Sequence, residues 1–305
     1  MTADVVIPTW NARDMLERCL LALRADPSPK RVIVVDNASA DGTAELVGSA
    51  FPEVTLVSLA ENAGFGRAVN AGVRAGDGEA IVLVNNDVLV EPGFVDAIVA
   101  PLSRPGIAMA AGLTTIAGSG LVDAVGIELD RGLAAYNRGR HGRVGRLAMP
   151  SGGAAAYRRS AWELAGGFDE ALFAYGEDVD LGLRLRAAGW EAAEAADARG
   201  IHVGGATAGV DSPLQRELGG FARGFLLRRY RVLRSRGAAQ ALLVDGLIVA
   251  WGLARHRTLV PLRARVRGWR AAGPGERRAL PEGAVDPAIG VVEAVRRLRR
   301  ARRPA

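Results

Sequence analysis

Three carboxylates stand close together in the segment FAYGEDVDLGLRLRAAGW, at Glu177, Asp178 and Asp180. A carboxylate can take the proton of a hydroxyl nucleophile, and a second carboxylate beside it raises its pKa because two adjacent negative charges are disfavoured. Acidic side chains are also favoured at a helix N-terminus, and Asp180 has Arg184 four residues on, the spacing of a common solvent-exposed ion pair. The spacing alone leaves acid–base chemistry and a plain helix start both open.

A second group of polar residues follows four short apolar runs at residues 4–8, 31–36, 54–59 and 80–85. The runs are rich in β-branched residues, as buried parallel strands are, and segments with helical spacing separate them. This alternation predicts a parallel sheet with right-handed crossovers, which binds ligands at the carboxyl ends of its strands. The polar residues at those ends are Thr9, Asn11, Asp36, Asn37, Glu61, Asn62, Asn85, Asn86 and Asp87. Turn formation explains any one of them, but four sets in register favour a ligand site.

The turn after the first strand reads PTWNA and lacks the G-x-G-x-x-G of dinucleotide-binding folds, and no P-loop lysine motif is present. Asp36, at the end of the second strand, can bind ribose hydroxyls. Asp87, after the fourth, suits a divalent cation that is also held by phosphate oxygens and water. The N-terminal half is therefore predicted to bind a nucleoside diphosphate group with a metal ion.

Composition indicates a folded protein of one or two domains: the chain has 305 residues, of which 49% are hydrophobic and 24% charged. Cys19 is the only cysteine, which excludes an intramolecular disulfide and indicates a core residue in a reducing compartment. No signal peptide is expected from MTADVVIPTW. Residues 1–212 carry a net charge of −9 and residues 213–305 one of +15, which predicts two regions with different partners, the second of them basic.

The basic region contains an apolar run at residues 238–254, interrupted by Asp245 and Gly246 and shorter than the roughly 20 residues that span a bilayer. Its arginine-rich flanks suit amphipathic helices on an anionic membrane surface. A helical hairpin packed on the catalytic domain, with an arginine-rich solvent face, is equally compatible. Nucleic acid is not expected as a partner, because the first half is acidic and only 5% of residues are aromatic.

Several segments together resemble family 2 glycosyltransferases of the GT-A fold, most closely the bacterial rhamnosyltransferase-like branch that builds cell-wall and surface polysaccharides. The resemblance covers about residues 4–210 in the family's order. It is carried by VVIPTWNARDMLERCLLAL, VIVVDNASADGT, ENAGFGRAVNAGV, LVNNDVLVEPGFV, SGGAAAYRRSAWELAGGFDEALFAYGEDVDLGLRLRAAGW and IHVGGATAG. It implies a Rossmann-like α/β fold, a mostly parallel sheet flanked by helices, with a C-terminal helical extension.

The resemblance also implies an activity: inverting, metal-dependent transfer of a hexose from dTDP-rhamnose or a UDP-sugar to a saccharide or lipid-linked acceptor. The enzyme is expected on the cytoplasmic face of the plasma membrane, attached peripherally, and the sequence leaves a homo-oligomer open. In such enzymes the second acid of the Glu-Asp pair is the catalytic base, here Asp178, with Glu177 tuning it. The acid after strand four and a later histidine hold Mg²⁺ or Mn²⁺, here Asp87 and His202, although an isolated histidine also suits core packing. The donor-binding set is Pro8, Thr9, Asn11, Asp36, Asn62, Gly64, Arg67, Asn86, Gly152 and Gly153.

Two features bear on these assignments. The chain has Asn85-Asn86-Asp87 where the family usually has Asp-x-Asp, so weaker metal affinity is expected. Gly152 and Gly153 allow close backbone approach to the donor sugar, but they also suit a plain turn.

Two other functions remain as alternatives. A nucleotidyltransferase of related fold would need a basic, glycine-rich triphosphate loop near the N-terminus, where this chain has IPTWNA. An inactive nucleotide-sugar-binding subunit is disfavoured by the joint presence of Asp36, Asp87, Glu177 and Asp178.

Overall fold

The structure, a computed structural model, describes residues 1–140, 144–204, 212–273 and 278–300, so the last residues of the IHVGGATAG segment lie outside it. The strands in this part of the chain are β1 (Ala3–Thr9), β2 (Arg31–Asp36), β3 (Thr55–Ser58), β4 (Ala80–Val84), β5 (Val88–Val90), β6 (Ile107–Ile116), β7 (Val122–Val125), β8 (Ile127–Leu129), β9 (Ala135–Asn137), β10 (Ala154–Arg158) and β11 (Glu191–His202). The α-helices are α1 (Arg13–Ala25), α2 (Thr43–Ala50), α3 (Phe65–Arg74), α4 (Phe94–Val99), α5 (Arg159–Ala165), α6 (Glu177–Ala187), α7 (Pro213–Arg229), α8 (Ala238–His256), α9 (Val260–Ala271) and α10 (Val291–Arg300).

The main sheet has the order β3-β2-β1-β4-β10-β6-β11-β5, with β7 added beside β6. The four predicted strands pair in parallel as β3-β2-β1-β4. Beyond them the sheet is mixed, because β10 runs antiparallel to both β4 and β6, and β5 runs antiparallel to β11. The sequence pattern thus predicts the first half of the sheet, whereas the second half depends on longer-range pairing.

Helices cover both faces of the sheet, which is why β4 is apolar and buried along its whole length. On one face α1, α2 and α4 pack through residues such as Leu16, Leu46 and Phe94. On the other face α3, α5 and α6 pack, joined by the end of α7. Cys19 lies fully buried on the first face, as expected of a core residue.

The carboxyl ends of the strands open a cleft at one edge of the sheet. β1 pairs with β2 as far as Thr9, but with β4 only as far as Val6, so β1 and β4 separate there. Pro8 lies beyond this separation, where the N–H that proline lacks is not needed for the ladder to β4. Because β4, β6 and β11 run in the same direction, His202 at the end of β11 lies at the same edge as the loop that follows β4.

The C-terminal helices pack on the sheet domain, which agrees with the packed-hairpin alternative. The end of α7 enters the core through Leu226 and Tyr230. α7 and α9 approach closely at glycines: a Cβ on Gly224 would meet the Arg265 carbonyl oxygen, and one on Gly268 the Phe221 carbonyl oxygen. The division into two domains at residue 212 stays a prediction.

The solvent-facing side of α8 differs from the arginine-rich face that the packed-hairpin alternative predicts. Among the described residues it is the one helix long and apolar enough to cross a bilayer, yet only 22% of its apolar window is buried. Its outer face carries leucines rather than arginines, and α9 continues the apolar surface. The exposed apolar residues of the two helices include Leu242, Leu243, Leu247, Leu253, Leu262 and Val266.

Candidate active site

Polar side chains tie together the loops that follow β1, β2 and β4. Asp36 is buried at the end of β2, and its Oδ1 accepts a hydrogen bond from the Ser39 N–H at 3.0 Å. Thr9 is buried at the end of β1, where its Oγ1 accepts from Asn86 Nδ2 at 2.9 Å. Three of the predicted donor-binding residues therefore lie at the cleft between β1 and β4.

The loop after β3 is fixed by a further hydrogen-bond pair. Asn62 Oδ1 accepts from Asn37 Nδ2 at 3.0 Å and from the Gly64 N–H at 3.1 Å. Gly64 has φ +87°, and a Cβ there would collide with the Phe173 carbonyl oxygen, so only glycine fits. This contact joins the start of α3 to the segment that leads into the carboxylates of α6.

Two other predicted donor-binding residues lie in loops and helix ends nearby. Asn11 has φ +47°, and its Oδ1 accepts from the Ala40 N–H at 2.8 Å, which links the loops after β1 and β2. Arg67, in the first turn of α3, places Nε 3.3 Å from Glu170 Oε2 and is about half exposed. No donor contact by either is tested, and both stay predictions.

His202 lies between two carboxylates. Its Nε2 is 3.3 Å from Asp87 Oδ2 and its Nδ1 is 2.8 Å from Asp123 Oδ2. Without a cation, hydrogen bonds to Asp123 and then to Asp87 raise the pKa of His202 to about 10. A cation bound at Nε2 would take the place of the proton there. For Asp123, burial raises the pKa, but the hydrogen bond and charge of His202 outweigh it and leave the pKa below its usual value. His202 therefore has a specific polar environment rather than that of a packed apolar residue.

Asp123 on β7 is a functional candidate that the sequence interpretation missed. It is 79 residues from His202 along the chain, in the unremarked segment GLVDAVG, and β7 brings it close only by pairing with β6. The sequence feature that could have identified it is the position of an acidic residue, Asp123, within a short apolar run. Histidines that bind metals commonly donate their other ring N–H to a carboxylate, which is the position Asp123 occupies.

The residues around Asp87 fit a divalent cation. Asp87 Oδ1 is buried and has no hydrogen-bond partner among the described residues, while its Oδ2 faces His202. No group of three or more His, Cys, Asp or Glu side chains among the described residues has the geometry to hold a metal ion by itself. An ion here would therefore need further oxygen ligands. Mg²⁺ and similar ions are commonly held by one or two side chains together with phosphate oxygens and water.

The catalytic candidates Glu177 and Asp178 form the N-terminus of α6, after Gly176 at φ +83°. Burial, followed by the charge of Asp178, raises the pKa of Glu177 to about 8, and Glu177 Oε2 has no hydrogen-bond partner among the described residues. Burial also raises the pKa of Asp178, opposed by hydrogen bonds from the N–H groups of Val179 and Gly152. The pKa values of both carboxyl groups are therefore raised, and two adjacent buried charges disfavour ionisation of both groups at once.

Asp180 has a different role from its two neighbours, and its predicted solvent-exposed ion pair with Arg184 is wrong. The pair forms, with Nε 2.8 Å from Oδ2, but both side chains are buried. Asp180 Oδ1 also accepts from Arg229 Nη1 at 3.1 Å and from the Tyr230 hydroxyl at 2.9 Å. The third carboxylate thus anchors α7 to α6.

The SGG turn before β10 reaches the carboxylate pair. The Gly152 N–H donates to Asp178, and the Gly153 carbonyl oxygen accepts from the Asn85 N–H at 3.3 Å. Tyr157, further along β10, is fully buried, its hydroxyl has no partner among the described residues, and the charges of Asp178 and Glu177 add to burial in raising its pKa. Tyr157 is a second residue near the pair that the sequence interpretation missed.

Comparison with known proteins gives one family and a shared fold. A family model described as glycosyl transferase family 2 matches residues 4–164. The chain is 34% identical over 229 residues to the N-acetylglucosaminyl-diphospho-decaprenol L-rhamnosyltransferase of Mycobacterium tuberculosis, an alignment that covers 65% of this chain and 75% of that protein.

Solved structures match over most of the chain. The mannosyltransferase PcManGT from Pyrobaculum calidifontis, in complex with GDP-Man and Mn²⁺, has a TM-score of 0.56 at 19% identity, covering 88% of this chain and 85% of that one. GalNAc-T7 with UDP, GalNAc and Mn²⁺ has a TM-score of 0.62 at 13% identity, covering 88% and 55%. At such identities the likeness shows the fold alone.

Proposed function

The chain belongs to glycosyl transferase family 2, in its rhamnosyltransferase-like branch with the GT-A fold, and we propose that it transfers a hexose with inversion from a nucleotide-diphosphate sugar to a lipid-linked saccharide. The observation that carries this proposal is the pair of adjacent, buried carboxyl groups of Glu177 and Asp178 at the start of α6, at the same cleft as Asp36 and Asp87. The Mycobacterium tuberculosis relative is named for rhamnose transfer to a diphospho-decaprenol acceptor. That likeness supports dTDP-rhamnose or a UDP-sugar as donor.

Asp178 is proposed as the base. The acceptor hydroxyl oxygen forms a bond to the anomeric carbon while the bond from that carbon to the diphosphate oxygen breaks on the opposite face. The hydroxyl proton passes to the Asp178 carboxylate, and the bonding electron pair leaves with the nucleoside diphosphate. Removing the proton as the bond forms accelerates such a step by about 10²–10⁴-fold.

Glu177 and Gly152 keep Asp178 ready for this step. Burial and the neighbouring charge raise the pKa of Glu177 to about 8, which disfavours a second negative charge beside Asp178. The Gly152 N–H holds the carboxylate in place without removing its negative charge. Asp36 and Asn62, on neighbouring loops, are proposed to bind the nucleoside of the donor.

Asp87 and His202 are proposed to hold a divalent cation, Mg²⁺ or Mn²⁺, with Asp123 orienting the imidazole. When bound, such an ion supplies positive charge for the departing diphosphate. The supporting observations are the unpartnered, buried Asp87 Oδ1 and the position of His202 Nε2 beside Asp87 Oδ2. The two structural neighbours that contain Mn²⁺ support a cation in this fold.

The proposal is tested by incubating the full chain with dTDP-rhamnose or UDP-sugars, Mg²⁺ or Mn²⁺, and a polyprenyl-diphosphate-linked N-acetylglucosamine. Mass spectrometry of the lipid product is expected to show the addition of one sugar, with release of the nucleoside diphosphate. Donor binding without any transfer would instead support an inactive binding subunit.

The C-terminal region is proposed to hold the enzyme reversibly on the anionic cytoplasmic face of the membrane. The apolar surface of α8 and α9 is exposed, and residues 213–305 carry a net charge of +15. Each basic residue near such a surface contributes about 1 kcal/mol, within a Debye length of roughly 8 Å at physiological salt.

We therefore expect binding to anionic vesicles in a flotation assay to fall steeply as salt is raised. The double variant Leu243→Ser and Leu247→Ser should bind less at every salt concentration, because it loses apolar contact. Truncation at residue 270 is not a clean test, because Arg297 is buried in an ion pair with Glu128. Equal binding to neutral vesicles, or no salt dependence, would contradict the electrostatic part of the proposal.

A further inference from the structure

A cavity of about 620 Å³ lies between the start of α6 and the C-terminal helices. Glu177 and Asp178 line it from α6. Val244 and Ile248 line it from α8, and Pro261 lines it from α9. The candidate base Asp178 therefore lines a cavity whose other walls come from the C-terminal helices. The proposed transfer step assigns no role to this cavity.

The charge on the walls of this cavity is unevenly distributed. The α6 wall contributes the acidic residues Glu177 and Asp178, whereas α7 and α9 contribute the basic residues Arg216, Arg223 and Arg265. Arg223 and Arg265 share a single carboxylate, Asp245, at 2.9–3.1 Å, so this side keeps net positive charge. Arg216 Nη1 lies 3.4 Å from His256 Nε2. A molecule bound here would meet negative charge at one wall and positive charge at another.

The α8 wall is apolar and continues to the surface. Val244 and Ile248 face the cavity, and the neighbouring Leu243 and Leu247 on the same helix are exposed. α8 thus has one face toward the cavity and an adjacent apolar face toward solvent or lipid. An isoprenoid chain could leave the cavity along this helix without exposing its hydrocarbon to water.

We propose that this cavity binds the acceptor, a saccharide diphosphate carried on an isoprenoid lipid, an inference that rests on the proposed function. The acceptor hydroxyl lies at Asp178, the diphosphate lies beside the arginines of α7 and α9, and the first isoprenoid units lie against Val244 and Ile248. The volume suits this portion of the molecule, since ligand pockets of about 300–1,000 Å³ enclose most of a ligand of that size. A longer lipid leaves the cavity beyond the part that a short-chain acceptor occupies.

Ile248→Trp tests the apolar wall, with Leu247→Trp as a matched control on the exposed face of the same helix. Both are assayed in detergent with a short-chain isoprenoid-diphosphate acceptor, so that attachment to a membrane does not affect the result. Ile248→Trp is expected to raise the acceptor KM by about tenfold or more, while the donor KM and the Leu247→Trp enzyme stay unchanged. Equal acceptor KM values in the two variants would overturn the proposal.

Arg216→Gln tests the charged wall. The wild-type enzyme is expected to have a lower KM for the diphosphate-linked saccharide than for the same saccharide as a neutral glycoside. The substitution should reduce the ratio of the glycoside KM to the diphosphate KM. A ratio that is unchanged from the wild type would contradict diphosphate binding here.

Photocrosslinking of the unaltered full chain keeps the test independent of variant folding and of turnover. A photoreactive isoprenoid diphosphate saccharide is expected to label the peptide that contains residues 244–252. Labelling elsewhere, or labelling of this peptide that excess unlabelled acceptor does not prevent, would overturn the acceptor site. Failure of the wild-type enzyme to transfer sugar would count against the proposed function instead, and the labelling result would still decide this inference.

Discussion

Asp178→Asn is expected to lower the transfer rate by about 10²–10⁴-fold while nucleotide-sugar binding stays within a few-fold of the wild type. Asparagine has nearly the same shape and can still accept the hydrogen bond from the Gly152 N–H, but it cannot accept the proton of the acceptor hydroxyl. The variant therefore separates proton removal from positioning. Initial rates at saturating donor and acceptor, with donor affinity from calorimetry, give the two quantities.

Glu177→Gln is the matched control, because it stands next to Asp178 in the same pair. Glu177 has a pKa of about 8 and is already uncharged below that pH, so glutamine should leave the acidic limb of the pH–rate profile nearly unchanged. Above pH 8 Glu177 ionises in the wild type, whereas glutamine cannot, and the two profiles should separate there. Near-normal transfer by Asp178→Asn, or an equally large loss in Glu177→Gln, would rule out the assignment of Asp178 as the base.

Asp87→Ala is expected to abolish the stabilisation that a nucleoside diphosphate gives in the presence of Mg²⁺ or Mn²⁺. The substitution removes the carboxylate whose buried Oδ1 has no partner among the described residues, and no other acid stands in the Asn85-Asn86-Asp87 segment to replace it. Thermal unfolding with nucleoside diphosphate, with and without the ion, measures the effect. His202→Ala should weaken the stabilisation without abolishing it.

Asp123→Asn is the control for this site, since it keeps both proposed ligands and replaces the carboxylate that faces His202 Nδ1 and also pairs with Arg140. Loss of such an outer contact typically costs about 10–100-fold in metal affinity. We therefore expect this variant to need a higher ion concentration for the same thermal stabilisation, rather than to lose the stabilisation. If chelator leaves both nucleotide binding and transfer unchanged, Asp87 and His202 do not hold a metal ion.

The parallel half of the sheet could be predicted because β1, β2 and β4 are largely buried and read as continuous, mostly β-branched runs, although β3 at the edge is partly exposed. Asp36 and Asp87 follow directly from that pattern, since Asp36 ends β2 and Asp87 lies in the loop directly after β4. Asp123 could not be found in this way. It lies on a four-residue strand and meets His202 only through the pairing of β7 with β6.

The C-terminal region shows a second limit of local patterns. Charge and hydropathy predict basic, apolar helices, but they do not show that α7 is anchored by Asp180 or that glycines let α7 and α9 meet. The cavity beside Asp178 exists only because these helices pack there. Contacts between residues distant in sequence decide this part of the site, and the spacing of residue types carries little information about them.

The measurement that tests the account most directly is the configuration of the new glycosidic bond, read from the anomeric NMR signals of the transfer product. A single displacement with Asp178 as base predicts that the transferred sugar has the anomeric configuration opposite to that of the nucleotide-sugar donor. A product that retains the donor configuration would contradict this mechanism and the role of Asp178 in it.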